Sequence, residues 1–229
     1  MMAKQFIVSI GREFGSGGHV IASNLAKRFG VKIYDKNLLD EVAEALDVDM
    51  KEWSDVDEHK KIPFFSRTVK EYSNSPQDLL RGIQFDFLKK KASDGESFVI
   101  VGRCSDYILR DYDGLVRIFV TGDKENKIKR LEEKRKLTRD EAVIAMNRVD
   151  RERRKYHDSV CDTKWGDARA YDLIINSRIG INESVDIIVE YIKKAIGLTD
   201  EEVKQMEMQK YIDHDIAGDE FENATENDI

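Results

Sequence analysis

The chain has 229 residues, 36% of them charged, a net charge of -7, and only two cysteines and two prolines; that suffices for one α/β core with an insertion, or at most two small domains. Cys104 and Cys161 stand far apart with no C-x-x-C and no histidine cluster, which argues against a disulfide framework or structural zinc and for idle thiols in a reducing cytosol. No run approaches a membrane span and the start lacks a leader-like pattern, so the expectation is a soluble, cytoplasmic protein without a membrane partner.

The charge is uneven. From Asp200 to Ile229 eleven acids face only Lys204 and Lys210, which leaves residues 1–199 near +2. A near-neutral, slightly basic body suits an anionic small molecule better than nucleic acid.

Phe6 to Ile10 reads as an apolar strand, and Gly11-Arg12-Glu13-Phe14-Gly15-Ser16-Gly17-Gly18-His19 follows as a glycine-rich loop. A helix from about Gly18 to Phe29 is predicted from the spacing of Val20, Ile21, Leu25 and Phe29. Its first-turn N–H groups face back over the loop, and a helix N-terminus with its positive dipole end is an anion site. Strand, glycine loop and helix is the arrangement of a phosphate-binding loop. The lysine of G-x-x-x-x-G-K-[ST] is missing: with Gly17 as the last glycine, Gly18 stands where lysine belongs, His19 where serine or threonine belongs, and Arg12 where the first glycine belongs. A dinucleotide site is the nearest rival, with Asp35 as the ribose acid. Against it, Val20 occupies the third glycine position and the loop is too long for that turn. An ordinary glycine-rich βα turn is the remaining alternative.

Val31 to Tyr34 is a second short strand. Asp35 follows at a strand-to-helix junction, where it serves a ligand, caps the helix predicted over Leu38–Leu46, or does both. From Asp47 to Ser75 the pattern is polar, with Trp53, Phe64 and Phe65 as anchors, and reads as a mobile insertion over the site. A helix over about Pro76 to Ser93 carries Leu79, Leu80, Ile83, Phe87 and Leu88 on one face. Arg81 and Gln84, at i and i+3, share another part of its surface, open either to solvent or to an acceptor substrate.

Ser97 to Val101 is an apolar run of the kind buried in the middle of a parallel sheet. It ends in Gly102-Arg103, which sets a guanidinium on the ligand edge of the sheet, placed to hold an anion. Cys104 to Arg110 is a short helix and Leu115 to Val120 another central strand. Two charged helices follow, about Lys124 to Lys136 and Arg139 to Tyr156, the second capped by Thr138. Five cations crowd Arg148 to Lys155, with Arg148/Arg151 and Arg151/Lys155 at i, i+3 and i, i+4. Set before a segment predicted to be flexible, His157 to Ala170, they suit a lid that neutralises a transferring phosphoryl group, or they merely balance Asp150 and Glu152.

Tyr171 to Asn176 is the last strand and Asn182 the expected cap of an amphipathic helix through Ile196. Thr199 with Glu202 has capping-box spacing, so an acidic helix is expected to about Ile212, followed by a polar tail too poor in apolar residues to order itself. The expected domain spans residues 1–198, with an acceptor insertion about 47–93 and a lid about 138–170; 199–229 is an acidic appendage. Alternating strands and helices argue for a three-layer α/β parallel sheet with right-handed crossovers.

Over about residues 4–197 the sequence resembles the cytidylate-kinase-like family of P-loop nucleoside-monophosphate kinases. The likeness rests on Ser9 to Gly18, Tyr34-Asp35-Lys36, Val101 to Tyr107, Asp150 to Arg154, and Tyr171 to Asn176. It implies a P-loop kinase fold and transfer of the γ-phosphoryl group of ATP, with Mg2+, to CMP or a related acceptor. By that resemblance the backbone of Gly15, Ser16, Gly17, Gly18 and His19 holds the donor phosphates, Asp35 and Arg103 contact the acceptor, and Arg151 and Arg154 act from the lid. Arg81 is added as a further acceptor residue on its helix position. Arg12 is the candidate replacement for the loop lysine, with His19 a lesser one. No acid ends the Phe98–Val101 strand, so magnesium is expected to ride on ATP and water, with its protein ligands unknown. True cytidylate kinases keep the lysine and carry an acid where Cys104 stands. The sequence therefore leaves open a binding module without turnover, and a kinase acting on a non-nucleotide acceptor, as well as the oligomeric state.

Overall fold

The computed structural model describes residues 4–35 and 76–216, with side chains over 4–35 and 81–208. The helix predicted over 38–46, the insertion from 47 to 75 and the tail beyond 216 lie outside the described residues. In chain order the elements are β1 (Ile7–Arg12), α1 (Gly18–Arg28), β2 (Lys32–Tyr34), α2 (Pro76–Ser93), β3 (Phe98–Val101), α3 (Ser105–Ile108), β4 (Leu115–Thr121), α4 (Lys124–Arg135), α5 (Arg139–Val160), β5 (Leu173–Asn176), α6 (Ile181–Ile196) and α7 (Asp200–Ile216).

The five described strands form one parallel sheet in the order β2-β3-β1-β4-β5. The strand that leads into the glycine loop is therefore central: Ile10 pairs with Val101 on one side and Ile118 on the other. Phe6, Val8, Ile10, Val99, Val101, Ile118 and Val120 are buried on one face with Ile21, Leu25 and Phe29 of α1 and Ile188 and Ile192 of α6. Ile7, Phe98 and Ile100 are buried on the other with Tyr34, Ile83, Phe85 and Leu88. Burial on both faces is what a continuous apolar strand requires, and it gives the three-layer architecture expected.

Several details depart from the periodicity. In α1 the buried stripe is Ile21, Ala22, Leu25 and Ala26, and Val20 is 41% exposed. On α2, Phe85 and Gln84 are buried, and Phe87 only packs at the margin; Leu79 and Leu80 fall outside the described side chains. Helix α5 runs on to Val160 and buries His157 in its last turn, so the predicted loop starts later than expected. Helix α6 starts at Ile181 behind Gly180, not at a cap on Asn182; Ser184 closes that end by donating to the Gly180 carbonyl. Thr138 and Glu141 form the expected capping box of α5. The box of Thr199 and Glu202 also forms, and α7 packs Val203 and Met206 against the main core.

Candidate active site

The loop between β1 and α1 is tied down by its three non-glycine residues, Glu13, Phe14 and Ser16. Glu13 Oε2 accepts from Lys127 Nζ at 2.8 Å, Thr121 Oγ1 at 2.8 Å and the Gly122 amide at 3.2 Å. Burial of this carboxyl opposes ionisation, but the bonds from Lys127 and Thr121 outweigh it and hold its pKa below the usual range. Phe14 is buried among Ile128, Leu131, Ala142 and Met146 of α4 and α5, and its amide donates to Asp150 Oδ1 at 2.7 Å. Burying such a ring is worth about 2–3 kcal/mol, so the residues that make the loop long for a dinucleotide turn are the ones that fasten the α4–α5 pair to it.

Ser16 is fully buried: its hydroxyl donates to the Glu13 carbonyl at 2.8 Å, and its own carbonyl accepts from Ser177 Oγ at 2.6 Å. Gly17, at φ +79°, is the N-cap of α1. The amides at the start of α1 have no intrahelical acceptor. Gly15, Gly17, Gly18 and His19 line a cavity of about 440 Å³ together with Arg130 and Lys134 of α4, Arg153 of α5, and Arg178 and Gly180 after β5. Its walls combine glycine backbone, a helix N-terminus and five long cations, Lys129 being the fifth, against the two carboxyls of Glu13 and Glu133, a cationic surplus that suits a polyphosphate.

Arg12 does not pair with Glu13. Its stem lies over Gly18, where an added β-carbon would stand 2.5 Å from Arg12 Cβ, and its Nη1 occupies the place a β-carbon of Gly102 would need. A side chain at 18 is thus excluded by the Arg12 stem, whereas one at 102 would displace the Arg12 guanidinium and strain a backbone at φ +77°. The guanidinium reaches from the loop to the carboxyl end of β3.

There Gly102, Arg103 and Cys104 all have positive φ, +77°, +61° and +55°. Two consecutive non-glycine residues in this region are costly and persist where the surroundings hold them. Here Cys104 is buried beside Cys161, His157 and Tyr156, and Ser105 is buried against Ser9 with hydroxyls 2.6 Å apart. His157 Nε2 lies 2.9 Å from Asp106 Oδ2. Burial works against the charged imidazole, but Asp106 together with Cys161 outweighs it and the pKa is pushed up to about 10. Both cysteines are free and buried, and although far apart in sequence they are neighbours in space.

Beyond β3, Arg81 and Arg103 converge on Tyr156: Arg81 Cζ lies 5.3 Å from the ring centroid, and both guanidiniums offset part of the rise that burial imposes on the phenol, whose pKa is pushed up to about 12. Asp35 Oδ2 is bonded to His19 Nε2 at 2.8 Å. His19 thus lines the cavity while its ring is bonded to Asp35. In the basic run of α5, Arg153 faces the loop: its Nη1 donates to the Arg12 carbonyl at 3.2 Å and it lines the cavity. Arg151 is exposed, Arg154 packs over Trp165, and neither lines the cavity. Lys127, Arg130 and Tyr156 escape sequence reasoning, with only their register on α4 and α5 as a hint, and Arg153 enters it only as one of five cations in the α5 run.

Among the described residues, no three His, Cys, Asp or Glu side chains gather as a metal site, and no helix is long and apolar enough to cross a membrane. Among solved structures, the chain is similar to an uncharacterized protein from Eubacterium ventriosum, with 36% identity, a TM-score of 0.66, and coverage of 82% of this chain and 99% of that one. It also matches shikimate kinases from Bacteroides thetaiotaomicron and Aquifex aeolicus, at 15% and 14% identity, covering 82% of this chain and 98% and 97% of theirs, with TM-scores of 0.46 and 0.43. None of the curated proteins compared with the chain matches it. The parallel sheet, the loop ahead of α1 and a match of residues 7–179 to the model of the cytidylate kinase-like family lead to one conclusion: the chain belongs to that family and has its P-loop kinase fold.

Proposed function

We propose that this protein transfers a phosphoryl group from ATP, carried with Mg2+, to a small anionic acceptor of the nucleoside-monophosphate type, CMP among them. The observation that carries the reading is the path of Arg12, which starts in the loop that would hold the donor and ends at Gly102 beside Arg103. Transfer to a phosphate needs no strong base, because the attacking oxygen is already anionic near neutral pH. It needs alignment and neutralisation of charge. The amides of Gly15 to His19 bind the donor phosphates, Arg12 spans donor and acceptor, and Arg103 with Arg81 hold the acceptor beside Tyr156. Arg153, with Arg151 and Arg154 on the same helix, supplies charge from the α5 side.

The fit of magnesium is limited by the protein: Glu13 is committed to Lys127, and no acid ends β3. The ion would be held by the nucleotide and water, and supplies charge neutralisation on the phosphates.

Calorimetry with Mg-ATP, followed by a phosphate-transfer screen over nucleoside monophosphates, tests the reading. Turnover of one monophosphate supports it. The absence of the loop lysine favours a second reading, a nucleotide-binding regulatory module, which binding without transfer to any acceptor would establish in place of the first.

A further inference from the structure

The loop places no cation over its own amides. Position 18, where a lysine would stand, is closed by the Arg12 stem, and the Arg12 guanidinium is carried away to Gly102. The charge over the cradle comes from a different element. Arg130 of α4 donates from Nη1 to the Gly15 carbonyl at 2.5 Å, and its Cζ stands 3.3 Å from where a β-carbon of Gly17 would be. It is half-buried and lines the same cavity as Gly15, Gly17 and Gly18.

The register of α4 explains how it gets there. Lys127, Arg130 and Lys134 follow at i, i+3 and i+7, one face of a helix. Lys127 anchors that face to Glu13, and the buried Ile128 and Leu131 pin α4 beside Phe14. Arg130 is thereby fixed one turn further along. A guanidinium has five N–H donors, so a single bond to a carbonyl holds it in place without using up its capacity for an anion.

We propose that Arg130 supplies, from α4, the phosphate-binding charge that a loop lysine supplies in the lysine-bearing form of this motif, and that it contacts the phosphates of the donor and not its base. The proposal rests on the phosphoryl-transfer reading of the site.

The test is calorimetry on the full chain with two ligands, Mg-ATP and inorganic tripolyphosphate, which has the phosphates but no base. The wild type binds both. Arg130→Gln loses roughly 10- to 100-fold in affinity for each, as expected for losing charge-assisted bonds, and by similar factors for the two. Arg130→Lys stays within about fivefold of the wild type; it keeps the charge, and so checks that the loss is not one of folding, as thermal unfolding of both variants also does. A loss of ATP binding alone, with tripolyphosphate unchanged, places Arg130 on the base and overturns the proposal. So does unchanged binding of both ligands by Arg130→Gln. A wild-type protein that binds neither ligand overturns the phosphate-cradle reading itself, a result distinct from any obtained with the variants.

Discussion

Arg12 and Gly18 share one space: a β-carbon at 18 would lie 2.5 Å from Arg12 Cβ. The missing lysine and the arginine six residues earlier are thus two sides of one packing solution. Arg12 occupies the volume that a lysine stem at 18 would cross, and Gly102 gives way at the far end.

Restoring the lysine therefore fails. Gly18→Lys is expected to overpack the loop, costing about 1–3 kcal/mol and several degrees of thermal stability, without improving affinity for Mg-ATP. The double variant Arg12→Gly with Gly18→Lys relieves the clash and recovers stability relative to the single one. Thermal unfolding of the three proteins decides it; a stable Gly18→Lys protein with tighter ATP binding contradicts this account.

Glu13 fastens the loop to α4, so Glu13→Gln leaves the Lys127 ammonium, 10% exposed, without its charge partner. A loss of about 1–3 kcal/mol is expected at pH 7. Glu13's folded pKa is depressed below the ordinary 4.5. Its contribution is complete above that value and is lost as pH falls through the folded pKa. The gap between wild type and variant in urea denaturation should hold at neutral pH and close in acid.

His157 titrates with the opposite sign. Its folded pKa of about 10 lies above the ordinary 6.5, so its pairing with Asp106 stabilises fully below 6.5 and is lost as pH rises towards 10. His157→Gln should cost about 3 kcal/mol at pH 6 and much less at pH 10. Equal destabilisation at both values would mean that packing, not charge, is what His157 contributes.

Within the basic run of α5, Arg153→Ala should weaken Mg-ATP binding and kcat/KM by roughly tenfold or more, the scale of a charge-assisted bond. Arg151→Ala and Arg154→Ala, in residues that do not line the cavity, should weaken ATP binding less than Arg153→Ala does. Titration and steady-state kinetics on the three variants rank them, and a greater effect on ATP binding from Arg154 would point to a rearrangement of α5 on binding.

What the sequence determined by itself is the frame. The apolar runs at 98–101 and 115–120 have a length and composition that suit buried parallel strands, and the glycine loop between an apolar run and an amphipathic helix is a local signal. Caps such as Thr138 with Glu141 are equally local, because both partners lie within one turn. Direction was not legible. Five cations in eight residues on α5 look alike as letters, and only the docking of Phe14 and Asp150 decides that Arg153 faces the loop. Lys127 and Arg130 sit on an apparently solvated helix until Glu13 and Gly15, more than a hundred residues earlier, meet them. The path of Arg12 depends on a positive-φ glycine ninety positions away. Such choices are made by contacts distant in sequence, and tertiary packing alone brings those groups within reach of one another.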